Sequence, residues 1–70
     1  MNTILFATSI KKEKDALNIA NLLQNYFGIK SASFDLTDQH NILRVKGVNI
    51  IPKKIEQTLM LFGYKSKELL

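Results

Sequence analysis

Apolar and polar positions change period along this chain, and each change marks an element. Thr3-Ile4-Leu5-Phe6-Ala7-Thr8 is β-prone and apolar at consecutive positions, the pattern of an inner strand with contacts on both faces. Beyond it the chain turns polar and basic. From about Lys12 the apolar residues Ala16, Ile19, Ala20, Leu23 and Phe27 fall three and four apart, which draws one stripe along a helix, and Gly28 predicts its C-terminal stop. Lys30 to Leu36 alternates Ser31, Ser33 and Asp35 against Ala32, Phe34 and Leu36, the period of a half-buried strand. Turn-forming Thr37-Asp38-Gln39-His40-Asn41 separates it from a second strand-like run, Ile42 to Lys46, so the two read as an antiparallel pair. Gly47 ends that strand. Pro52 suits the first turn of a second helix whose stripe is Ile55, Leu59 and Phe62; Gly63 stops it, and Tyr64 to Leu69 has room for one short strand.

The order β-α-β-β-α-β predicts an α+β, ferredoxin-like sandwich. Right-handed crossovers place both helices on one face of a four-stranded antiparallel sheet, with the first and third strands central. Seventy residues supply one domain, and a composition that is 46% hydrophobic and 23% charged is enough for a core. A domain of this size buries only about 60% of its unfolded surface, so modest stability is expected. The net charge of +4 biases the chain toward acidic partners but falls short of a dedicated nucleic-acid arm. Ile4 to Ala7 is too short for a signal-peptide core or a membrane span, so the expectation is a cytoplasmic chain with no membrane insertion.

Ser9-Ile10 after the first strand, the helix with its apolar spacing, Gly28-Ile29 and Gly63-Tyr64 together resemble the heavy-metal-associated domain. That is the fold of copper chaperones and of the N-terminal metal-binding domains of metal-pumping P-type ATPases. Family members carry Gly-Met-x-Cys-x-x-Cys at the end of the first strand, Gly-Val after the helix, and Ala-Gly-Tyr or a similar turn before the last strand. Here Ser9-Ile10 holds the Gly-Met place, and counting back from Gly28 the two cysteine places fall on Lys12 and Asp15. The resemblance covers nearly the whole chain and implies the fold above, but the residues depart from it at the ligands. The chain has no cysteine. Copper(I) and zinc are held in that family by soft thiolates. A protonated lysine has no lone pair to donate, one carboxylate is a single hard ligand, and Lys11, Lys12 and Lys14 set positive charge around any approaching cation. Neither a resident cofactor nor family-type metal transfer is expected.

An alternative metal-handling reading uses His40, the sole histidine, with Asp38, or ligands from a second chain. In this topology the His40 loop lies at the same end of the sheet as the Lys11 to Lys14 loop and the Gly63-Tyr64 turn. Transition-metal sites take three or four ligands, so a lone loop histidine reads first as a solvated side chain. Met60 and Met1 read as packing and tail residues. Lys11, Lys12 and Lys14 with Lys65 and Lys67 predict a basic patch at that end, suited to an acidic partner, against the simpler account of solvated charge. Nucleic acid is not the expected partner: RNA-recognition folds of this topology stack bases on aromatics of the central strands, and Ile42 to Lys46 has none.

The first strand leaves its own parity open, because either Ile4 and Phe6 or Leu5 and Ala7 must face away from the helices. The resemblance implies Leu5 and Ala7 inward. On that reading Ile4 and Phe6, with Ile42 alongside, form an apolar patch on the open face, a contact for a protein partner or a second copy, unless they are ordinary isolated surface apolars. No catalytic arrangement is predicted: Ser9, Ser31, Ser33 and Ser66 share one histidine and no nucleophile motif, and there is no glycine-rich phosphate loop. The expected function is therefore that of a contact-making domain, not an enzyme.

Overall fold

The computed structural model describes residues 2–25 and 28–69. Strands β1 (Asn2–Thr8), β2 (Ile29–Asp35), β3 (Ile42–Gly47) and β4 (Ser66–Leu69) alternate with helices α1 (Glu13–Gln24) and α2 (Pro52–Leu61) in the order β1-α1-β2-β3-α2-β4. The strands form one antiparallel sheet in the order β2-β3-β1-β4, and both helices cover one of its faces, as in ferredoxin-like folds.

Strand β3 decides which side chains are inside. Leu43 and Val45 are fully buried while Arg44 and Lys46 are exposed, a clean alternation. Residues directly opposite one another on paired strands share a face. The register sets Phe6 against Leu43 and Ile4 against Val45, and on the other side Phe34 against Leu43 and Ala32 against Val45. Phe6 is accordingly 0% exposed at the centre of the core, and Ile4 packs against it. This corrects the expected parity: Ile4 and Phe6 lie under the helices, and Leu5 and Ala7 stand on the open face. The physical reason is that β1 is apolar on both of its faces, so its partner's alternation settles its orientation. From above, α1 contributes Ala16, Ile19, Ala20 and Leu23 and α2 contributes Ile55 and Leu59.

Helix ends also differ from the periodic reading. Helix α1 is described to Gln24, and the backbone amide of Asn25 caps it by donating to the Leu22 carbonyl at 3.2 Å. Phe27, placed on the same stripe, lies outside the described residues. Helix α2 stops at Leu61, and Phe62 is its cap residue, 55% exposed, and not a third member of the buried stripe. Neither helix has a side-chain N-cap; Lys12 and Ile51 occupy those positions.

One close approach fixes the start of β2. A Cβ on Gly47 would lie 2.6 Å from the Gly28 carbonyl oxygen, and Gly28 itself has φ +70°, a conformation that glycine adopts without strain. One backbone group of each outer strand is bonded by a helix side chain. The Gln24 Nε2 of α1 donates to the Ala32 carbonyl of β2 at 3.4 Å, and the Glu68 amide of β4 donates to Oε2 of Glu56 in α2 at 3.0 Å.

Candidate functional site

The face of the sheet without helices takes its character from the same registers. Leu5 stands between Arg44 on β3 and Leu69 on β4, Thr3 is opposite Lys46, and Ala7 is opposite Lys67. On the far side Ser33 is opposite Arg44, Ser31 opposite Lys46, and Asp35 opposite Ile42. Half-buried Leu5, Ala7 and Ile42 thus sit among three cations, Arg44, Lys46 and Lys67. Ile42 is on this face as expected, whereas Ile4 and Phe6 are not, so the apolar patch of three does not exist as a surface. Asp35 is the carboxylate of the face. Its Oδ1 accepts the Thr37 hydroxyl at 2.6 Å and the Thr37 amide at 3.1 Å. Those bonds, the hydroxyl first, hold the Asp35 carboxyl below its ordinary pKa, with a small contribution from the charge of Arg44. No aromatic side chain stands on this face among the described residues.

At one end of the sheet three connections meet. The Thr8 amide donates to the His40 carbonyl at 3.0 Å and the Thr8 hydroxyl to the Asn41 carbonyl at 2.7 Å. Ser9 and Lys65 exchange two bonds, the Ser9 amide to the Lys65 carbonyl and the Lys65 amide to Ser9 Oγ, both at 2.9 Å. The result is a shallow depression of about 310 Å³ lined by residues that include Ser9, Gln39, His40, Lys65 and Lys67.

The expected ligand positions do not converge on a metal site. Asp38 and His40 share a turn, but Asp38 Oδ1 accepts the His40 backbone amide at 2.8 Å and so closes the loop on itself. Lys12 is the N-cap of α1 and Asp15 lies in its first turn. Among the described residues no three His, Cys, Asp or Glu side chains gather as a metal would require. Of the lysines expected at this end, Lys65 and Lys67 line the depression with His40, and Lys11 lines a hollow of about 720 Å³ between α1 and β2. That hollow is faced by Leu17, Ala20, Phe34 and Leu36, with Leu17 63% exposed. Met60, expected in the packing, is instead 72% exposed on the outer side of α2.

Arg44 and Lys46 are the residues that motif reasoning passed over. Their signal was present in the alternation Leu43-Arg44-Val45-Lys46, which by itself sends two cations to the side opposite the core. No helix among the described residues is long and apolar enough to cross a membrane. No family model matches the chain, and no curated protein matches it in sequence.

Proposed function

We propose that this chain is a contact-making domain, heavy-metal-associated-like in scaffold but without thiolate ligands, that meets an acidic protein surface with the uncovered face of its sheet. The observation that supports this reading is the placement of Arg44, Lys46 and Lys67 around half-buried Leu5, Ala7 and Ile42. An apolar centre with a charged surround matches the anatomy of protein interfaces, and the cations supply steering and register for an acidic partner. The competing account is a solvated face with no partner. The βαββαβ order supports the scaffold half of the proposal, and the cysteine count explains why the surface, not a metal, carries the work.

The test is an amide-resolved NMR titration with poly-glutamate at low salt. Saturable shifts within residues 3–7, 31–35, 42–46 and 66–69, lost in the Arg44→Glu, Lys46→Glu double variant, are the expected result. Shifts spread over all lysines, or unchanged by that variant, refute the interface. A parallel titration with copper(I), zinc and nickel addresses the metal-handling alternative: saturable shifts confined to 8–15, 38–41 and 62–65 at micromolar metal would favour His40 and Asp38 as ligands and overturn the leading proposal.

A further inference from the structure

The depression where the β1–α1, β2–β3 and α2–β4 connections meet has a chemistry of its own. We infer that it is an oxyanion site, fitted to phosphate or a phosphate monoester. The inference does not rest on the open-face proposal, although Lys67 borders both.

Three observations carry it. The first is the donor set. Lys65 and Lys67 line the depression with Gln39 and His40, and Gln39 Nε2 donates to His40 Nε2 at 3.5 Å, which leaves the second Gln39 amide proton free to meet an anion. Ser9 Oγ already accepts the Lys65 amide, so its own proton is directed to another acceptor. The second is the absence of competing charge in the lining: none of the residues around the depression is a carboxylate, and the neighbouring Asp38 turns its Oδ1 onto the His40 amide. The third is that the framework is set before any ligand arrives. Four hydrogen bonds of 2.7 to 3.0 Å tie Thr8 and Ser9 to His40, Asn41 and Lys65, so an anion meets loops whose backbones are already ordered, and preorganisation of that kind lowers the cost of binding.

The same side chains argue against a cation. Two lysines in the same lining as His40 disfavour a metal ion there and favour an oxyanion. A volume of about 310 Å³ accommodates a tetrahedral oxyanion with part of its hydration shell. Ser66 also lines the depression. Its hydroxyl oxygen is buried without a hydrogen-bond partner, but register with Thr8 turns it to the helix side, so it is not counted among the donors.

Inorganic phosphate is the probe, titrated into the full chain at neutral pH with sodium chloride at matched ionic strength as the reference. Saturable amide shifts at 8–9, 39–41 and 65–67, of roughly millimolar affinity, are expected with phosphate and not with chloride. The Lys65→Ala, Lys67→Ala double variant should weaken binding at least about tenfold, and Lys53→Ala, on the first turn of α2, should leave it unchanged. Native amide dispersion checks that the double variant folds; His40→Ala, which keeps the Thr8 to His40 backbone bond, provides an independent weakening of several-fold. The Arg44→Glu, Lys46→Glu variant used above should retain phosphate binding, which separates failure of this site from failure of the open face. An O-phosphoserine arm distinguishes the source: tighter binding than phosphate assigns a monoester, and equal binding assigns the free anion. Shifts equal in chloride, scattered over the other lysines, or linear with phosphate to about 20 mM would overturn the site.

Discussion

Truncating Phe6 puts the architecture at risk in a way that truncating its neighbour Leu5 does not. Phe6 is 0% exposed on a central strand, opposite Leu43, which is equally inaccessible. Removing a buried aromatic ring commonly costs about 3 to 5 kcal/mol, the sum of lost transfer energy and the cavity left behind. A domain of this length has on the order of 4 to 10 kcal/mol in all, at roughly 0.05 to 0.15 kcal/mol per residue. Phe6→Ala should therefore lower the urea midpoint by about 3 to 5 M, taking a slope near 1 kcal/mol per molar for so small a chain, and leave it close to unfolding in buffer. Phe6→Leu, which keeps most of the volume, provides a milder point on the same scale. Leu5 is half-buried on the open face, so Leu5→Ala should cost only about 1 kcal/mol. Circular dichroism melts in urea at neutral pH measure all three. If Leu5→Ala proves as damaging as Phe6→Ala, the register that sets Phe6 against Leu43 is wrong, and with it the assignment of every residue on the open face.

Gly47→Ala forces a Cβ to within 2.6 Å of backbone and should cost about 1 to 3 kcal/mol, whereas Gly63→Ala, at φ +89° in open space, should lose only about 1 kcal/mol. Thermal melts should show about a 4 to 8 °C drop for Gly63→Ala and no smaller a drop for Gly47→Ala; the reverse order would contradict the packing of Gly28 on Gly47. The Asp35 carboxyl is held below its ordinary pKa by Thr37, so its stabilisation is present above the unfolded value of about 3.9 and is lost as pH falls through the lower folded value. Asp35→Asn and Thr37→Val should each flatten the fall in melting temperature between pH 5 and 2, and parallel profiles for wild type and variants would rule the contribution out. Lys12→Cys with Asp15→Cys puts thiolates at the two positions that the resemblance to the heavy-metal-associated domain assigns to ligands and should create soft-metal binding, read as the charge-transfer absorption of bound cobalt(II). A folded double variant with no such band would remove the basis for aligning this loop with the family.

Element order was legible because the chain changes period abruptly. The stripe of Ala16, Ile19, Ala20 and Leu23 and the alternation of Ser31 to Phe34 leave little choice, and the structure has a helix and a strand there. Orientation of β1 was not legible, since Ile4, Leu5, Phe6 and Ala7 are acceptable inside on either parity. What resolves it is a nonlocal quantity, the register with β3, where Leu43 and Val45 permit only one side. The periodic stripe runs on to Phe27, which lies outside the described residues; the helix is described to Gln24. The gathering of Ser9, Gln39, His40 and Lys65 was only half visible. Topology brings the loops to one end, but which lysines join His40 depends on how the connections fold over, and Lys11 is turned to the other hollow.

Gln24 and Glu56 reach from the two helices to the outer strands, one occupying a carbonyl of β2 and the other an amide of β4. A free strand edge is a template on which another extended chain can pair, the first step toward fibrillar assembly. In this domain an incoming strand finds an acceptor already taken on one side, and on the other a donor taken by a carboxylate. Neither side chain is part of the apolar core, and each acts instead on a single backbone group of an outer strand. Core packing and the occupation of outer-strand backbone groups thus fall to adjacent residues of the same helices, Leu23 and Ile55 serving the first and their immediate neighbours Gln24 and Glu56 the second.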